Sequence, residues 1–195
     1  FSNEKNKEKK WGEFLIVGGD DVCAVFDPTL VLKISNEFQK LFEIKMLKLM
    51  NEIAKGEKNK ENTCKKELPD ILKNVIANTR ITSSSGVVIA KTKTPMFQLF
   101  KQGLKLQKNA KKERKEVKKI FPSTTTGFID FQVIGAEGTV NIDSFRSSLS
   151  NIMDRPYAID FNIESNNEED RNKKNVKNLD SLLKLIHEMK RINFP

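Results

Sequence analysis

Residues 11–34 read WGEFLIVGGDDVCAVFDPTLVLKI, and the fold turns on this stretch. Trp11 to Val17 and Val22 to Phe26 are runs of aromatic and β-branched residues on either side of a glycine-containing turn, which is the pattern of two short strands. Asp27-Pro28-Thr29 makes a second turn, and Leu30 to Ile34 then predicts a third strand. Three short antiparallel strands are therefore expected to open the molecule.

Beyond them, Phe38, Leu41, Phe42, Met46, Leu47, Leu49 and Met50 recur at three-and-four spacing, predicting a helix from Asn36 to about Ile53 with that apolar set inward. Residues 54–67 are almost all Lys, Glu, Asn and Gly, a polar insert that cannot bury enough to fold by itself. Ile71 to Ile81 and Gly86 to Lys91 read as two strands joined at Ser83-Ser84-Ser85-Gly86. Met96 to Phe121 is helical, as one long helix or two broken near Gly103, and Phe128 to Ile134 is a strand. Asn151 to Ile163 reads as a hairpin, and Val176 to Met189 as a last amphipathic helix. The expected class is α+β: a polar lead over 1–10, a sheet-rich part over 11–95 and a helical part over 96–195.

The chain has 195 residues, 37% of them apolar, enough for one core or two small lobes around a groove. Its two cysteines, Cys23 and Cys64, match no paired-ligand spacing, which argues against a disulfide framework or a zinc site and favours an intracellular, reducing setting. No apolar run is long enough to span a bilayer. The single histidine, His187, lies on the polar side of the last helix and leaves no basis for a histidine-rich metal site. A net charge of +9 favours anionic partners of some kind.

The order of certain parts resembles the protein kinase superfamily. Gly18-Gly19 precedes a strand ending near Val25, Val31-Leu32-Lys33-Ile34 follows, and Glu43 lies in the next helix. Ser150-Asn151-Ile152-Met153 followed by Tyr157-Ala158-Ile159-Asp160-Phe161 is similar to the segment in which an asparagine and an aspartate hold Mg²⁺. The resemblance implies a two-lobe fold with a reduced helical second lobe. It further implies ATP held under Gly18 and Val25, Lys33 on the phosphates, Glu43 positioning Lys33, and Asn151 and Asp160 on Mg²⁺.

The sequence also departs from that family. Asp20 and Cys23 stand where further glycines belong, and Asn162 stands where Asp-Phe-Gly ends. Arg146 occupies the place of the catalytic base, so Asp143 is the nearest candidate. Asp180, opening the last helix, takes a bracing role by the same resemblance. The implied function is phosphoryl transfer to a Ser or Thr of a protein substrate, or a pseudokinase that binds nucleotide or a protein partner without chemistry. The chain stops where the family's remaining helices begin, so a fragment is one reading of its length.

A different function follows from the basic helix around Lys111-Lys112-Glu113-Arg114-Lys115, which could track the phosphate backbone of a nucleic acid. It carries no interleaved aromatics, and no nucleic-acid-binding motif accompanies it.

Overall fold

Asp27 turns the chain out of a sheet and into a helix. The computed structural model describes residues 11–55, 69–121, 126–135, 155–160 and 176–191. In it, β1 (Gly12–Gly18) and β2 (Asp21–Phe26) form the expected antiparallel hairpin. Gly19 at the tip has φ 58°, a left-handed conformation that glycine adopts without steric cost. The Asp27 amide donates to the Trp11 carbonyl at 2.9 Å, and the Asp27 side chain accepts from the Thr29 amide at 2.8 Å and hydroxyl at 2.5 Å. A carboxylate accepting the amide two residues on closes a turn over Asp27-Pro28-Thr29, and the Asp27 carbonyl accepts from the Leu30 and Val31 amides at 3.0 Å. The expected third strand is replaced by the start of α1 (Val31–Lys55), and the modest strand preference of Val31 to Ile34 is overridden.

The face that α1 turns inward is polar, contrary to the expected apolar one. Asn36 and Gln39 are its fully buried residues, while Phe38 and Leu41 are 40% and 57% exposed. Asn36, Gln39 and Glu43 recur at i, i+3 and i+7, so one side of the helix carries amides and a carboxylate toward the rest of the molecule.

The second correction falls at Ile71 to Ile81, where a strand is expected and α2 (Asp70–Asn78) is found, packed on α1. Ile71, Leu72, Val75 and Ile76 have helical spacing, and Asp70 supplies an acid to the first turn, where the helix dipole favours it. The strand expected next is β3 (Ser84–Ile89). The chain then runs through α3 (Met96–Ile120), unbroken at Gly103, into β4 (Phe128–Val133). β3 and β4 are parallel neighbours, Ser84 opposite Phe128 through Ile89 opposite Val133, so β3-α3-β4 is a crossover unit rather than an antiparallel sheet. β5 (Tyr157–Ala158) adds antiparallel to β4, giving the order β3-β4-β5.

α3 lies very close to β3 because Gly86 has no side chain. A Cβ there would sit 2.5 Å from the Gln107 amide nitrogen and nearer still to the Gly103 carbonyl oxygen. Ala110, Val117, Phe121, Phe128 and Ala158 form one apolar cluster. Val87, Ile129, Phe131 and Ile159 form a second with Leu179, against which Val31 and Leu32 of α1 also pack. Leu179 opens α4 (Leu179–Arg191), the expected last helix. In its first turn Asp180 accepts from Asn36 Nδ2 at 2.7 Å and Lys40 Nζ at 2.5 Å, tying α4 to α1. The fold is therefore mixed α+β. Among the described residues, no helix is long and apolar enough to cross a membrane.

Candidate functional site

Two surfaces carry chemistry, and the first is the outer face of α3. Lys101, Lys105, Lys108, Lys112, Lys115 and Lys119 follow one another at intervals of 4, 3, 4, 3 and 4 residues, which keeps them in one stripe along the helix. All are exposed except Lys105, which is half-buried. Leu106, Ala110 and Val117 mark the opposite, buried side. At a rise of about 1.5 Å per residue the stripe is roughly 27 Å long. Glu113 and Glu116 fall off it and are partly buried, so no carboxylate interrupts the row.

The second surface is a polar cluster where β3 and β4 begin. Glu43 reaches across from α1 and accepts the Gly127 amide at 2.7 Å. Burial pushes the Glu43 carboxyl up to about 7; the Gly127 amide and the Arg114 charge act against the rise, and the Asp160 charge adds to it. Gly127 has to be glycine here, since a Cβ would lie 2.7 Å from Glu43 Oε1, 3.1 Å from Gln39 Oε1 and nearer still to the Ser83 carbonyl. Gln39 is fully buried and donates from Nε2 to the Ser85 hydroxyl, leaving its Oε1 without a partner. The Ser83 hydroxyl is likewise buried and unpartnered. The Asp160 amide donates to the Thr126 hydroxyl at 3.0 Å, and the Ile159 amide to the Gly127 carbonyl at 3.0 Å, which holds residue 160 beside the cluster.

Of the residues singled out in the sequence, Glu43 and Asp160 are tied to adjacent residues, Glu43 to the Gly127 amide and the Asp160 amide to the Thr126 hydroxyl. Gly18 ends β1 and Val25 is exposed on β2, in a hairpin remote in pairing from the β3-β4-β5 sheet. Lys33 is exposed on α1 rather than on a strand. It lies ten residues before Glu43 on the same helix, about 15 Å along the axis, too far for a side-chain ion pair. Lys33 is therefore not the ion-pair partner of Glu43. Asp143 and Asn151 lie outside the described residues, as do Cys64 and Asn162.

Asp180 is bound by Asn36 and Lys40 of α1, and the loop that the resemblance has it brace lies outside the described residues. Asp160 is exposed, whereas Asp130, with the same Ile-Asp-Phe flanks, is fully buried on β4. His187 is exposed on α4. Gln39, Ser83 and Gly127 were not anticipated; the legible signal for Gln39 was a polar residue sharing a helix face with Asn36 and Glu43.

Among the described residues, no group of three or more His, Cys, Asp or Glu side chains is placed to hold a metal ion. Compared with known proteins, the chain matches no family model, no curated protein and no solved structure.

Proposed function

We propose that the chain binds nucleic acid through its phosphate backbone, with the Lys101–Lys119 stripe of α3 as the contact surface. The observation that carries this reading is the uninterrupted row of six lysines on the side of α3 opposite Leu106, Ala110 and Val117. Duplex DNA presents one phosphate about every 3.4 Å along each strand, so a stripe of roughly 27 Å spans about eight of them. Lysine is a mobile point charge that neutralises phosphates without reading bases. The stripe offers no aromatic ring for stacking, so recognition is of backbone rather than sequence.

With six phosphates neutralised, log K falls with log salt at a slope of about −5, or roughly a thousandfold between 50 and 200 mM salt. Fluorescence anisotropy with a labelled 20-base-pair duplex measures this slope. The variant carrying Lys108→Gln, Lys112→Gln and Lys115→Gln should reduce it by about 3. An unchanged slope in that variant would remove α3 from the interface, and equal binding to phosphatidylserine vesicles would reassign the stripe to a membrane surface.

A second reading keeps nucleotide binding within a kinase-like two-lobe arrangement, as an enzyme or a pseudokinase. Glu43 is held on the Gly127 amide and the Asp160 backbone on the Thr126 hydroxyl, one residue apart, which favours it, since two neighbouring carboxylates suit a Mg²⁺ that keeps substrate phosphates as its other ligands. Its test is a Mg²⁺-dependent rise in melting temperature with ATP that disappears in Asp160→Ala.

A further inference from the structure

We propose that α3 recognises a junction between double- and single-stranded nucleic acid, with Lys108–Lys119 on the paired backbone and Phe97 and Phe100 stacked on the first unpaired bases. The inference rests on the lysine stripe being the nucleic-acid surface and adds the class of substrate which that surface fits.

Phe97 stands four residues before Lys101, so it extends the row of lysines by one more turn on the same side of the helix. It is nine residues from the buried Leu106, two and a half turns, which puts the two on opposite sides of α3. Phe100, Leu104 and Lys108 follow one another at steps of four along the edge of the same face. Phe97 is 76% exposed, Phe100 42% and Leu104 44%, and adjoining exposed apolar side chains mark a contact surface rather than scattered exposure. Among the described residues neither Phe97 nor Phe100 stacks on another ring, unlike Phe14 with Phe26 and Phe131 with Tyr157.

The neighbouring charges choose the occupant. Lys101 and Lys105 flank the two rings, and cations beside aromatic faces are the combination that holds a single strand, by its phosphates and by its bases. Bases inside a duplex are already stacked on one another, so the rings find partners only where pairing ends. From Lys108 to Lys119 the row is lysine alone, about 17 Å or roughly five phosphate spacings of one strand. Leu104, between the two parts, is placed to cover the last base pair, as apolar wedges do at opened steps. An anionic membrane also accepts Phe and Lys, but a helix lying in a bilayer surface carries its apolar residues along its length beside the lysines. Here the two kinds are divided end from end: beyond Leu104 the exposed large apolar residue of α3 is Ile120, which is off the row. Stacking tolerates any base, so recognition stays independent of sequence.

Anisotropy titrations of the full chain with three labelled DNA probes test this: a blunt duplex, the same duplex with a single-stranded tail, and the tailed duplex with abasic sites in place of the tail's bases. The two tailed probes have equal phosphates and differ in stacking alone. Expected is binding at least about tenfold tighter to the tail with bases than to the abasic tail. The double variant Phe97→Ser, Phe100→Ser, at exposed positions, should lose that preference and keep the blunt-duplex affinity and its salt slope. Equal affinity of the parent chain for the two tailed probes, or a preference that survives the double substitution, would overturn the junction inference while lysine-dependent binding of the blunt duplex still upheld the stripe. Absence of lysine-dependent binding to the blunt duplex would remove the stripe and this inference together. Phosphatidylserine vesicles bound more tightly than any DNA probe, with loss in the double variant, would assign the whole face to a membrane.

Discussion

Gly86→Ala should weaken the fold more than any other single methyl addition among the described glycines of the sheet–helix interface. The new Cβ would lie 2.5 Å from the Gln107 amide nitrogen, 2.9 Å from Leu106 Cβ and nearer still to the Gly103 carbonyl. Two of these obstacles are α3 backbone atoms, which cannot rotate aside as a flexible side chain does. The helix would have to withdraw by on the order of 1 Å, loosening Leu106, Ala110 and Val117 from the sheet together. Overpacking of this kind costs about 1–3 kcal/mol, and a backbone obstacle puts Gly86→Ala at the upper end. For a chain of this size about 3 kcal/mol lowers the melting temperature by roughly 6–12 °C.

Gly103→Ala is the matched control. Its Cβ would meet Gly86 O at 3.8 Å and Val88 Cγ2 at 3.9 Å, ordinary contact distances, and alanine in mid-helix is favoured over glycine by up to about 1 kcal/mol. Urea melts followed by circular dichroism at 222 nm should therefore move the two variants in opposite directions. Equal midpoints for Gly86→Ala and the parent chain would refute the close approach of α3 to β3.

Further outcomes concern the start and end of the described fold. Asp27→Ala, which removes the acceptor for the Thr29 amide in the turn before α1, should cost about 1 kcal/mol in the same denaturation assay, and Asp27→Asn much less; equal losses would argue that the charge rather than the turn's hydrogen bond matters. Burial opposes ionisation of Asp180, but hydrogen bonds from Lys40 and Asn36 outweigh it and hold its carboxyl below the usual range. A lowered folded pKa means that the contribution of Asp180 is complete above the unfolded value of about 3.9 and is lost as pH falls through the folded value. The stability difference between the parent and Asp180→Asn should accordingly be constant near neutrality and shrink below about pH 4; a difference that widened in acid would reverse the assignment.

The sequence made the β1–β2 hairpin, β3, β4, α3 and α4 legible because each has a local signature: alternation, a turn residue or helical spacing. The turn at Asp27-Pro28-Thr29 lies where the sequence places it, but the apolar run after it, read as a strand, is the start of a helix. α2 was missed although its apolar residues fall at helical spacing. The inward face of α1 was not legible, since apolar residues ordinarily point inward and here Asn36, Gln39 and Glu43 do so, their partners being Asp180, Ser85 and Gly127 from distant parts of the chain. The parallel pairing of β3 with β4 is likewise non-local, set by α3 packing across Gly86. Glu43 and Asp160 stand out through a resemblance that requires Lys33 beside Glu43; they are held instead on Gly127 and Thr126, just before β4, without Lys33.

The contact of Asp180 with Asn36 and Lys40 links residues 144 and 140 positions apart. On a ribosome adding about 5–20 residues per second, the partner for α1 emerges roughly 7–30 s after α1 itself. Throughout that interval Asn36 and Lys40 lack their partner, although Ser85 and Gly127, which bind Gln39 and Glu43, emerge sooner. The docking of α1 is therefore a late event in the life of a newly made chain, and its rate is governed by closing a very long loop rather than by forming the helix.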